Sequence, residues 1–318
     1  MPTIELKKET PKEAVCQVFE KVNTGGVTLT VFELLTATFA ADDYNLREDW
    51  DTRVKKLREF KPISEIRCTP VNVDGIPAEW IIPEKEKSGR VILFLHGGSF
   101  NSGSIKSHRT LAGNLAISTR SRALLIDYRL APEYPFPAGI EDAIKAYLWL
   151  LAQGVDPNRI VVAGDSAGGT LVLNLLIHLR DKQASLPAAG VCLSPAPDLS
   201  FSGESWKFNA KKDLLLIESK EQKSIDIYLN DVDRRSPLAS PTYANLHGLP
   251  PLLIQVGSHE LLLSDCEHFA EKAKSAGVDV TLEVWPRMQH EWQFAANFLP
   301  EGRRALSRIG EYVETIFS

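Results

Sequence analysis

Short apolar runs alternate with longer amphipathic stretches from about Ile66 to the C-terminus. The runs at 91–95, 123–126, 160–163, 190–193, 252–256 and 280–284 have the length and apolar character of strands buried within a sheet. Val71–Val73 and the run at 78–82 read as an opening antiparallel pair. Helical periods fill the gaps, at 108–118, 139–153, 168–182, 264–275 and 303–317. Strands alternating with helices predict an α/β fold, a mostly parallel sheet covered on both faces. The stretch at 200–235 breaks the rhythm: it is long, polar and partly helical, and reads as an insertion over the active edge of the sheet.

The first sixty residues follow another pattern. Val15, Val18, Phe19 and Val22 share one helical face. Thr30 with Glu33 forms a capping box ahead of Phe32, Leu35 and Phe39, and Asn45 with Glu48 repeats it before Trp50, Val54 and Leu57. Three amphipathic helices are expected there. The chain thus divides into a helical segment at 1–60 and a larger unit at 61–318 that carries the insertion.

Composition narrows the function. The 318 residues, 44% of them hydrophobic, suffice for one large core. A net charge of −5 argues against a nucleic-acid surface. No apolar stretch approaches the roughly 20 residues that span a membrane, and residues 1–10 are polar and charged, unlike a signal peptide. Cys16, Cys68, Cys192 and Cys266 lack metal-ligand spacing, so free thiols in a reducing compartment, and a cytoplasmic protein, are expected.

The chemistry centres on Gly164-Asp165-Ser166-Ala167-Gly168, between a strand and a helix. That is the setting of a nucleophile elbow, in which glycines admit a sharp turn and leave the serine exposed at the strand end. An activated serine needs a base, an orienting acid and an oxyanion hole. His96-Gly97-Gly98-Ser99 follows the strand at 91–95, and the N–H groups of Gly97, Gly98 and Ala167 are the expected oxyanion donors. His290 follows the strand at 280–284, where the base belongs; His178 lies within a helix, and His108, His247 and His268 lack such a strand-end loop. Glu260 follows the strand at 252–256, and the order serine, acid, histidine fits the elbow reading. Asp265 competes for the acid, but its place in the first turn of a helix has a simpler electrostatic explanation. Phe100, Trp292 and Leu215 are candidates for an acyl pocket, with packing as the other reading.

Four motifs in order, His96-Gly97-Gly98-Ser99, Tyr128-Arg129-Leu130-Ala131-Pro132-Glu133, Gly164-Asp165-Ser166-Ala167-Gly168-Gly169 and Ser194-Pro195-Ala196-Pro197-Asp198-Leu199, resemble the hormone-sensitive-lipase-type, or bacterial family IV, carboxylesterases. The resemblance implies an α/β-hydrolase fold of about eight strands, with a helical cap built partly from the N-terminal region. It implies hydrolysis of short- to medium-chain acyl esters through an acyl-enzyme, without cofactor or metal, and a homodimer as a common assembly. Ser99 stands where the family usually carries a third glycine, and His259 where it often has an aspartate or a small residue; the family's acid-x-Leu pattern falls on Glu260. Residues 19–35 resemble a stretch of the ParB-like nuclease domains of modification-dependent restriction systems, a similarity that runs to about Leu57. Only an internal piece would be present, so no nuclease activity is carried over and the helices are expected to serve as a cap. The same triad would also suit a deacetylase or amidase for a specific metabolite. A non-catalytic binding protein on a hydrolase scaffold is a further alternative, against which the presence of all three residue types argues.

Overall fold

A computed structural model describes residues 65–318. The three expected N-terminal helices and the ParB-like stretch lie outside the described residues. Eight strands form one sheet: β1 (Ile66–Val73), β2 (Ile76–Pro83), β3 (Val91–Leu95), β4 (Arg122–Ile126), β5 (Ile160–Asp165), β6 (Ala189–Leu193), β7 (Leu252–Gly257) and β8 (Val280–Trp285). Their spatial order is β1-β2-β4-β3-β5-β6-β7-β8. β2 pairs antiparallel with β1 and β4, and all later pairings are parallel. Asp74 and Gly75 both take positive φ, 48° and 96°, at the two-residue turn of the β1–β2 hairpin, the geometry that matches strand twist.

The alternation of side chains along each strand divides the core. Leu93, Leu95, Val162 and Ile254 point to the face covered by α2 (Ala138–Ala152), α3 (Ala167–Asp181) and α6 (Leu263–Ser275). Ile92, Phe94, Val161 and Leu253 point to the face covered by α1 (Ile105–Thr119) and α7 (Pro300–Ile316). Each such side chain withdrawn from water contributes about 1.5–3 kcal/mol, which is why β3, β5, β6 and β7 are buried along their whole length.

Between β6 and β7 the chain leaves the sheet and forms α4 (Ser205–Phe208) and α5 (Glu218–Leu229). Burial secures both helices. Trp206 of α4 donates to Asp265 of α6 at 2.7 Å. Tyr228 of α5 stacks on Phe100, 3.9 Å between ring centroids. The insertion therefore packs directly on the loop that follows β3.

Candidate active site

The strand ends converge because β3, β5, β6 and β7 are neighbours running in one direction. Ser166 sits between β5 and α3 with φ 48° and ψ −119°, a conformation that non-glycine residues seldom adopt. Its N–H donates to Leu193 O at 2.8 Å, which anchors the turn to β6. The flanking glycines are sterically required. A Cβ on Gly168 would lie 2.0 Å from Leu95 O, and one on Gly164 2.5 Å from the Gly168 backbone.

His290 lies in the loop after β8, with Nε2 2.9 Å from Ser166 Oγ and Nδ1 3.0 Å from Glu260 Oε2. Glu260 follows β7 and is fully buried. Its second oxygen accepts from Ser194 Oγ at 2.8 Å and Gly257 N at 2.5 Å. Glu260 has work only as an acceptor, so the His290 Nδ1–H donates to it. That tautomer leaves the Nε2 lone pair facing the Ser166 hydroxyl. Burial alone would push the imidazole down in pKa; an ionised Glu291 would be the largest opposing influence, with Glu260 and then Asp213 acting in the same upward direction. Asp265 is not part of this chain of bonds. It is buried in the first turn of α6, tied to Trp206, and burial pushes its carboxyl up to about 7 against the Trp206 hydrogen bond.

The loop after β3 supplies main-chain N–H groups. Gly98 takes φ 117°, and a Cβ there would lie 2.4 Å from Ser102 O, so no side chain fits. The N–H groups of Gly98, Ser99 and Ala167 have no acceptor among the described residues. Gly97 corrects the sequence expectation. Its N–H donates to Asp165 Oδ2 at 3.0 Å and is spent inside the protein. The cause is the pairing of β3 with β5, which sets Leu95 against Gly164 and brings Asp165 beside Gly97. His96 braces this loop through Nδ1, 2.8 Å from Gly97 O, and its ring stacks on Tyr128.

The pocket candidates separate. Phe100 is 2% exposed, with its ring face against Tyr228. Trp292 is a second correction: it is 1% exposed and packs with Met288, Ala305 and Trp285 in a small cluster of its own, so packing accounts for it. Leu215 is half-buried on the insertion, in a turn capped by Asp213 Oδ1. The preceding Leu214 N donates to Gln289, next to His290. Arg129 pairs with Asp142 and Glu141 and fixes a loop.

Four contributors escaped sequence reasoning: Asp213, Ser194, Ser99 and Glu291. Asp213 accepts from Leu261 N at 2.8 Å and ties the insertion to the acid's loop. Ser194 stands in a quoted motif, and its place at the end of β6, beside β7, was the available signal. Ser99 donates through Oγ to Glu221 of α5 at 2.8 Å. Glu291 is adjacent to the base in sequence. Among the described residues no group of three or more His, Cys, Asp or Glu is arranged to hold a metal ion, and no helix is long and apolar enough to cross a membrane.

The profile of the alpha/beta hydrolase fold family matches residues 92–294, a span that contains Ser166, Glu260 and His290. An acetyl-hydrolase of Streptomyces hygroscopicus is 45% identical over 245 residues, 77% of this chain and 82% of that protein. An esterase of Acinetobacter venetianus is 36% identical over 260 residues, 81% of this chain and 86% of that protein. A crystal structure of an esterase from the bacterial hormone-sensitive lipase family is 43% identical, with a TM-score of 0.81 over 90% of this chain and 96% of that one. These matches give no support to the ParB-like resemblance of residues 1–57. The chain belongs to the α/β-hydrolase fold family, among the hormone-sensitive-lipase-type esterases, and is a carboxylic ester hydrolase.

Proposed function

We propose that the protein hydrolyses short- to medium-chain acyl esters with Ser166 as nucleophile, His290 as general base and acid, and Glu260 as the orienting acid. The observation that carries this reading is the continuous relay from Ser166 Oγ through His290 to Glu260, 2.9 and 3.0 Å long. Ser166 Oγ attacks the ester carbonyl carbon while His290 Nε2 takes its proton. The carbonyl oxygen becomes an oxyanion held by the N–H groups of Gly98, Ser99 and Ala167, which are free for it. The bond to the alcohol oxygen then breaks, and His290 returns the proton to that oxygen, leaving an acyl-enzyme. Water repeats the sequence: His290 takes its proton, its oxygen bonds the acyl carbon, and the acid leaves as Ser166 regains its hydrogen.

The name of the Streptomyces relative supports an acetyl group as the smallest acyl part. The insertion at 200–235, seated on the oxyanion loop through Ser99–Glu221 and Phe100–Tyr228, is read as part of a cap over a catalytic unit at 61–318. The segment at 1–60 is read as the rest of that cap. A homodimer in the cytoplasm completes the reading, and light scattering of the purified chain tests the assembly.

The functional test is hydrolysis of p-nitrophenyl esters from acetate to palmitate. Turnover that is highest on short chains and lost in Ser166→Ala is expected. The loss should be on the order of 10⁶ in kcat, as for removal of the nucleophile in other serine hydrolases. A profile that is highest on palmitate would contradict the chain-length reading.

A further inference from the structure

The proposed mechanism leaves one half-buried group beside the reacting atoms without a task. Glu291 follows the base directly, in left-handed backbone with φ 55°. Its Oε1 lies 3.8 Å from His290 Nε2, the nitrogen that also faces Ser166 Oγ. The same oxygen would lie 2.8 Å from a Cβ placed on Gly97, so it abuts the oxyanion loop. The Glu291 carboxyl also converges with that of Asp165, whose Oδ2 would stand 2.3 Å from the same Cβ. Two carboxyl groups held together can hydrogen-bond only with a proton between them. Asp165 Oδ2 accepts from Gly97 N at 3.0 Å and faces His108 Nε2 at 3.2 Å. Asp165 Oδ1 is buried with no amide or hydroxyl donor. A protonated Glu291 would bring an O–H donor to this carboxyl.

We propose that Glu291 is a protonated positioning residue: its O–H holds Asp165, Asp165 holds Gly97 and the oxyanion loop, and its neutrality keeps a second negative charge away from His290 Nε2 and the oxyanion. This rests on the serine-esterase reading above. Ionised, Glu291 would set two carboxylates in contact, hold the imidazole as imidazolium and oppose the charge that develops on the carbonyl oxygen. Every one of these effects acts against attack by Ser166.

The groups that face Glu291 are His290 from its own loop, Asp165 from β5 and His108 from α1, with His96 behind Asp165. Glu260 and Asp213 act on His290 from its other sides. Burial pushes His108 down, but Asp165 outweighs it and pushes it up, so this pair balances its own charge. An ionised Glu291 would find its main compensating charge on His290, the group that has to be neutral to act as base. Burial, opposed by His290 and reinforced by Asp165, pushes the Glu291 carboxyl up to about 8. For Glu291 the active form is the protonated one, so its contribution is present below that pH and lost as pH rises through it, while His290 must itself give up its proton before it can act as base.

The test is the pH profile of kcat/KM for p-nitrophenyl acetate with the full chain, in wild type, Glu291→Gln and Asp165→Asn. With a group near pH 8, wild type should fall about tenfold from pH 7 to about pH 9. Gln keeps an N–H donor for Asp165 but does not ionise, so Glu291→Gln should lose the fall. Asp165→Asn removes the neighbouring charge that holds the proton on Glu291, so its fall should move to lower pH. A fall in Glu291→Gln equal to that of wild type would overturn the proposal. If Glu291→Gln does not fold, an unmoved fall in Asp165→Asn would overturn it instead. Wild type without esterase activity, or Ser166→Ala with it, would defeat the parent reading. Activity that dies with Ser166, together with an unmoved profile, would defeat only the role of Glu291.

Discussion

Two regions flank the His290 ring, and each places a glutamate against it. On the Nδ1 side, Glu260 lies after β7 among donors: Ser194 Oγ, Gly257 N and the imidazole itself. On the Nε2 side, Glu291 lies against another carboxyl, Asp165, and beside the loop where the oxyanion is to form. The same side chain at the two places has opposite tasks because its neighbours differ. Donors call for an acceptor, and an acceptor calls for a donor. The serine esterase reading needs negative charge behind the base and none in front of it, and the two regions are built in that sense.

The comparison can be broken most severely on the Nδ1 side. Glu260→Gln leaves the shape nearly unchanged but can present an amide to Nδ1 and favour the wrong tautomer. A loss of about 10⁴ in kcat is expected, measured on p-nitrophenyl acetate, with little change in KM. Ser194→Ala tests the same side more gently. It removes the donor to Glu260 Oε1 at 2.8 Å and the acceptor of the weaker 3.4 Å bond from Glu291 N. A hydrogen bond to a charged group contributes about 1.5–3 kcal/mol, so a fall of about ten- to a hundredfold in kcat/KM is expected. A Ser194→Ala variant with wild-type kinetics would show that Glu260 needs no support from β6. On the Nε2 side the effect is a shift in pH dependence, about tenfold at alkaline pH as set out above. The smallest effect concerns the neighbouring loop. Ser99→Gly removes the hydrogen bond to Glu221 but relieves a φ of 51°. The two changes oppose each other, so thermal unfolding should move by less than about 1 kcal/mol in stability.

The strands from β2 onward were legible because each is a local apolar run, and their predicted bounds fall within one or two residues of those observed; β1, half-exposed at the sheet edge, begins five residues before the expected Val71. Two helices begin three residues earlier than their apolar pattern shows. α1 starts at Ile105 because Ser104 and Ser107 cap it reciprocally, with serine where glutamate is the usual signal. α7 starts at Pro300 because proline, which lacks an N–H, fits a first turn where that group has no partner. The relay of Ser166, His290 and Glu260 was also legible, since each member follows a strand that can be recognised alone. Gly97 was misassigned for the opposite reason. Its N–H is captured by Asp165, and that neighbour is fixed by the pairing of β3 with β5, not by any local pattern. Glu291 was overlooked on similar grounds. Adjacency to His290 was visible, but its contact with Asp165 depends on where β5 and the loop after β8 end in space.

The measurement that bears most directly on the central claim is labelling of the purified chain with a p-nitrophenyl alkylphosphonate, followed by peptide mass spectrometry. Displacement of p-nitrophenolate by an activated serine leaves a stable adduct in the oxyanion geometry. One phosphonyl group per chain, on the peptide that carries Ser166, with parallel loss of esterase activity, is the predicted result. Glu260→Gln should slow the labelling, since the nucleophile is then poorly activated. Full loss of activity with the adduct on another residue, or esterase activity that survives stoichiometric labelling of Ser166, would contradict the account.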